Sequence, residues 1–192
     1  MADVLRLAFK IGSPRDVAAE LTMLASGGSV SHCGAVLPDG RMFTSLFEAG
    51  PSFQQDVDLT DATEWIVVPT TLIVTAADVL TAEVATEFGW TYDLEAAIAS
   101  GFGQRIVHEH RRFCSQITKE FCQNLAGGKA AFPGPISVNP WELMLQATGK
   151  QKAFLPIAMT YRRERLDAAL AAAMAADKLT AAEVEAITQT LE

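Results

Sequence analysis

The stretch "SVSHCGAVLPDGRMFTS", residues 29–45, decides how the chain is read. An apolar run ends at Leu37, Pro38-Asp39-Gly40 interrupts it, and a second run begins at Met42. This is the pattern of a β-hairpin. Proline suits the second position of a type I turn and glycine the left-handed bulge position. A three-residue loop pairing Leu37 with Arg41 is therefore expected over a two-residue Asp-Gly turn. In that register Thr44 and Glu48 share the face of His32, with the Glu48 Cβ about 7–8 Å away on the diagonal. Glu48 is thus the carboxylate placed on the imidazole's face. Alternation places His32 and Cys33 on opposite faces, which predicts that they do not serve one site.

Outward from the hairpin, Val4–Phe9 and "EWIVVPT" (64–70) read as strands. Residues 13–28, "SPRDVAAELTMLASGG", read as a helix with Ser13 as N-cap, Pro14 at N1 and a Gly-Gly stop. Thr75 and Asp78 cap a helix carrying Leu80, Val84 and Phe88 on one face. "YDLEAAIAS" (92–100) is a short helix, residues 114–125 a longer one, and 129–138 a loop. Asn139, Pro140 and Glu142 open a further helix through Leu145. The tail from Tyr161 predicts a helical hairpin, with Leu166, Leu170 and Met174 on one stripe. After "DKL", Thr180 and Glu183 form a second capping box. The elements fit an α+β class, with a main domain over 1–156 and a helical appendage over 157–192 that could pair two copies of the chain.

The totals bound the function. At 192 residues, with 49% hydrophobic and 20% charged residues, the chain has the composition of a globular domain. A formal charge of −8 and the lack of a basic patch argue against nucleic acid and anionic membranes as partners. The start "MADVLRLAFK" lacks the apolar core of a secretory signal, and no apolar run approaches the ~18 residues of a membrane span. Three cysteines with no export signal predict free thiols in a reducing, cytoplasmic setting.

The reactive residue types gather in "VHEHRRFCSQITKEFC", residues 107–122. Cys114 falls at a helix start, where the N-terminal partial charge favours a thiolate, and Arg111 and Arg112 precede it. It also lies on the inward stripe 114, 117, 121, 125. Cys122 is about 12 Å further along the axis, too far for a disulfide with Cys114, and reads as core. His108 and His110 read as a solvated segment. A zinc site of His108, His110 and Cys114 has no familiar spacing, so neither metal nor cofactor is expected. A nucleophilic cysteine usually finds its histidine far away in sequence, which leaves His32 as the better base.

Taken in order, "SVSHCGAVLPDGRMFTS", "EWIVVPT", "WTYDLEAAIASGFG", "RRFCSQITKEF" and "SVNPWEL" resemble the circularly permuted papain-like family related to NlpC-type hydrolases, over roughly residues 4–145. In that family a histidine strand comes first, and the nucleophile follows at the start of a helix marked "FCSE". The resemblance implies Cys114 as nucleophile, His32 as base and an antiparallel sheet against the cysteine helix. The chain departs from it at Gln116, where the family carries glutamate, and in lacking an obvious third polar residue to orient the histidine, a role for which the hairpin register offers Glu48. The expected activity is cysteine hydrolysis, amidase or peptidase, on a small peptide-like or acyl substrate, with small bacterial or phage-encoded proteins as relatives. Lipid acyl transfer or thioester cleavage by the same pair is the chemical alternative. A non-catalytic phage structural or assembly protein is the alternative of another class.

Overall fold

The computed structural model describes residues 3–12, 23, 28–101, 104–149, 170–171, 174–175 and 179–190. Five strands come first: β1 (Asp3–Ile11), β2 (Val30–Val36), β3 (Met42–Leu46), β4 (Gly50–Gln54) and β5 (Trp65–Val74). Helices follow: α1 (Ala76–Glu87), α2 (Leu94–Gly101), α3 (Cys114–Asn124), α4 (Gly128–Ala131), α5 (Pro140–Ala147) and α6 (Ala181–Thr190). The fold is α+β, with one antiparallel sheet in the order β4-β3-β2-β1-β5.

The hairpin has the three-residue loop. Leu37 N–H donates to Arg41 O at 2.8 Å, and Ala35 and Val36 pair with Phe43 and Met42. β4 carries Pro51 and pairs only with β3. It is an edge strand, the place where proline's missing N–H costs least. Its one weak apolar run gave no sign of it in the sequence.

One face of the sheet, carrying Leu5, Leu7, Phe9, Cys33, Ala35 and Phe43, packs on Cys114, Ile117, Phe121 and Cys122 of α3 and on Leu143 of α5. The other face buries a smaller cluster of Ala8, Val36, Met42 and Trp65. The capping boxes of α1 (Thr75, Asp78) and α5 (Asn139, Glu142) form as the sequence indicates, and the Thr180–Glu183 pair closes at the start of α6. Two expectations change. Residues 128–131 make one helical turn inside the expected loop. Leu80, Val84 and Phe88 lie exposed, while α1 buries Ala82 instead. The helix expected over 13–28 and the first helix of the tail fall largely outside the described residues.

Candidate active site

Cys114 is the first residue of α3, with Phe113 as N-cap. Phenylalanine offers no side-chain acceptor, so the helix start keeps only the reciprocal bond of a capping box. Gln116 Oε1 accepts from Phe113 N–H at 3.3 Å, while Gln116 Nε2 donates to Ile106 O at 2.8 Å. The second bond needs an amide, because a carboxylate has no proton to give. The glutamine therefore ties the helix mouth to the preceding loop. Ser115 Oγ donates to Val138 O at 2.5 Å and Thr118 Oγ1 to Cys114 O at 2.7 Å, fixing the first turn on both sides.

His32 sits half-buried on β2, edge-on to Trp65. The ladder between β1 and β2 slips beside it: Lys10 pairs with His32 but Ile11 with Val30, leaving Ser31 as an extra residue. Such a bulge twists a strand and re-aims its side chains. His32 and Cys33 themselves stay in regular register, opposite Lys10 and Phe9, with Cys33 in the core under α3 and His32 against Trp65 and Thr44, so reaching one thiol does not require a shared face. Both act on Cys114.

Thr44 completes the imidazole's setting. Its hydroxyl donates to Cys33 O at 2.6 Å and lies 3.2 Å from His32 Nε2. With its only proton engaged, the hydroxyl accepts from Nε2–H. That tautomer leaves Nδ1 unprotonated and free to act as a base. Glu48, the sequence candidate for this task, lies instead on the exposed turn that ends β3 at Leu46. The strand stops before the register can carry Glu48 to His32, and Thr44 supplies the contact.

The electrostatics single out one thiol. Cys114 is held well below the ordinary cysteine range, first by hydrogen bonding from the Cys33 thiol, then by the charge and hydrogen bonding of His32, against the opposing effect of burial. Cys33 is pushed well up, by burial first and then by Cys114. One proton shared between two thiols settles on Cys33, which has no helix terminus beneath it. Arg111 and Arg112, expected to help, face elsewhere. Arg111 pairs with Asp93 at 3.4 Å, and Arg112 with Glu120 at 2.8 Å while stacking over Trp90.

Tyr92 is a site residue that the reading of individual residues did not pick out. Its loop runs beside the approach to α3: Arg112 N–H donates to Thr91 O at 3.0 Å and Asp93 N–H to Arg112 O at 3.3 Å. Gly50, at φ +67°, lets β4 pass under this loop, since a Cβ there would lie 2.1 Å from Trp90 O. Tyr92 is thereby set beside Cys114, and burial first, then the two cysteines, raise its phenol well above the usual value. It stays protonated and is a donor. The only hint in the sequence was the "YD" pair within the resemblance.

Comparison with protein-family models, with curated proteins and with solved structures gave no match. The site stands on its own geometry.

Beside it lies a cleft of about 700 Å³, walled by Phe47, Glu48, Trp90, Tyr92, Glu95 and Arg111, and closed on one side by Leu179, Ala182 and Glu183 at the start of α6. The C-terminal segment, expected to stand apart from the chemistry, thus contributes a wall beside Tyr92. His108, expected to be solvated, is anchored. Its Nδ1 lies 2.7 Å from Asp93 Oδ2, a carboxylate with no solvent exposure that also caps α2 through Ala96 N–H. Among the described residues, no three His, Cys, Asp or Glu side chains gather to hold a metal ion, and no helix is long and apolar enough to cross a membrane.

Proposed function

We propose that this protein is a cysteine hydrolase of the permuted papain-like kind, acting on a small peptide-like or acyl substrate through an acyl-enzyme. The observation that carries the reading is the depressed thiol of Cys114 at the mouth of α3, flanked by His32 and Cys33. His32 takes the Cys114 proton at Nδ1, while Thr44 holds Nε2–H. The thiolate attacks the carbonyl carbon, and the oxyanion that forms is met by the Cys114 backbone N–H, free of an intrahelical partner at the helix start, and by the Tyr92 hydroxyl. The protonated imidazole then gives its proton to the leaving group. Water, deprotonated by the same nitrogen, releases the acyl group.

Cys114 is 1% exposed, so the substrate must displace a covering group. Tyr92, set between Cys114 and the cleft, is that group, and its hydroxyl turns from the sulfur to the oxyanion as the substrate enters. The test is paired labelling of the whole protein with a peptidyl chloromethyl ketone and a fatty-acyl thioester. Covalent capture at Cys114 that His32→Ala abolishes supports the reading, and the preferred probe separates amide from acyl chemistry. Equal labelling of Cys33 and Cys114, unchanged by His32→Ala, overturns it.

A further inference from the structure

Cys33 forms no bond to substrate and transfers no proton in the hydrolytic cycle, yet it is fully buried in the same core cluster as the nucleophile. It projects from β2 onto the first turn of α3, where Thr118 adjoins its thiol and donates to Cys114 O at 2.7 Å. The two thiols lie in one buried cluster, one on a central strand and one on the helix that packs over it, and each acts on the other's ionisation. Both are free thiols in this structure. Cys122 lies about two turns further along the same helix, in the same core cluster, and acts on Cys33 through charge but not through a hydrogen bond.

We infer that Cys33 and Cys114 form a reversible disulfide, with Cys33 as the resolving thiol that protects the nucleophile from hydroperoxides. The Cys114 thiolate attacks one oxygen of hydrogen peroxide. The O–O bond breaks, hydroxide leaves and takes up the proton held on His32, and Cys114 becomes a sulfenic acid. The sulfur has then lost its charge, which removes the part of the barrier to Cys33 ionisation that came from Cys114. Cys33 attacks the sulfenic sulfur, an S–S bond forms, the S–O bond breaks, and the hydroxyl leaves as water with the Cys33 proton. Two thiols and one peroxide give one disulfide and two waters. A small-molecule dithiol reverses the step by exchange.

A buried resolving thiol suits this task. Without it, a sulfenic acid at Cys114 proceeds to sulfinic acid, which thiols do not reduce. With it, oxidation stops at a state that holds no thiolate, and the site is silent until reduced. The inference needs only the two adjacent thiols and not the hydrolase reading, so its test uses no substrate.

The experiment is limited treatment of the full-length protein with hydrogen peroxide, followed by alkylation under denaturing conditions and peptide mapping. The expected product has lost about 2 Da before alkylation. It shows a Cys33–Cys114 cross-link, leaves Cys122 alkylated, and recovers full Cys114 labelling after dithiothreitol. Cys33→Ser should instead gain about 32 Da at Cys114, and dithiothreitol should not restore its labelling. A wild-type protein that gives the sulfinic acid with Cys33 still alkylatable overturns the inference, as does a cross-link through Cys122. Should Cys33→Ser fail to fold, the wild-type map decides alone.

Discussion

Cys114 opens α3 and Cys122 lies in its last turns; both are buried, at 1% and 0% exposure. Their chemistry diverges. Cys114 falls well below the ordinary thiol range, whereas burial pushes Cys122 up to about 12. Burial opposes ionisation at both positions, so it does not distinguish them. Partners do: Cys114 has the Cys33 thiol, an imidazole and the helix N-terminus, while the nearby Lys119 offsets only a little of the burial at Cys122. A cysteine's place on a helix and the polar groups facing it set its reactivity, and its burial sets how much those groups must overcome.

The largest test of this contrast is removal of each thiol. Cys114→Ala should lower turnover of a responsive acyl substrate by about 10⁴-fold or more, as for a nucleophile whose loss leaves only binding and the oxyanion donors. Cys122→Ala should leave turnover unchanged and lower stability by about 1–2 kcal/mol in denaturant unfolding, the effect of a small core cavity. Equal losses of turnover would erase the distinction between the two ends of the helix.

Next comes the imidazole. His32→Ala should slow alkylation of Cys114 at pH 6.5 by about 10²–10⁴-fold and leave Cys122 unaffected, because a general base contributes on that scale. Thr44→Val should have a smaller effect, about tenfold, since it removes one hydrogen bond to the ring. That loss should come with a shift of the pH–rate profile, which a packing change alone would not cause. An unshifted profile would mean that Thr44 does not set the tautomer.

The smallest effect concerns stability against pH. Lys119, buried on α3 with Nζ donating to Pro133 O at 2.7 Å, is lowered to about 8 from 10.5, first by desolvation. Its folded-state value is depressed, so its charged form costs stability below pH 8, and that cost disappears as pH rises towards 10.5. Lys119→Met should therefore gain on the wild type most near pH 7, with the gap narrowing by pH 10 in thermal unfolding. Cys122 acts in the opposite sense. Its raised value contributes stability that is full below about pH 8.5 and lost as pH rises through about 12, so Cys122→Ala should flatten the alkaline limb. A gap at Lys119 that widens with pH would reverse the assigned sign.

Much of this was legible in residues 29–45 and 107–122. Pro38-Asp39-Gly40 dictated the loop, hence the register, hence the placement of Thr44 beside His32. The inward stripe and the helix start at Cys114 were likewise written in residue type and spacing. What stayed hidden shares one cause: arrangements that only tertiary pairing fixes. His32 and Cys33 act on the same thiol although their pairing with Lys10 and Phe9 is regular, because tertiary packing sets where α3 lies. The end of β3 at Leu46 removed Glu48 from the strand. Tyr92 reaches Cys114 through loop-to-loop hydrogen bonds that no periodicity records. Arg111 and Arg112 looked available because their carboxylate partners, Asp93 and Glu120, lie far enough away in sequence to go unpaired on the page.

The central claim is that α3 carries one thiolate and one inert thiol, and the pH dependence of alkylation measures it directly. Native protein is treated with limiting iodoacetamide from pH 5 to 10, and the three cysteines are quantified separately by mass spectrometry. The account predicts that Cys114 reacts first at every pH, with a rate that levels off well below the ordinary thiol value of about 8.5. Cys33 and Cys122 should remain unmodified across that range. Labelling of Cys122 or Cys33 ahead of Cys114, or a Cys114 rate still climbing through pH 9, would contradict it.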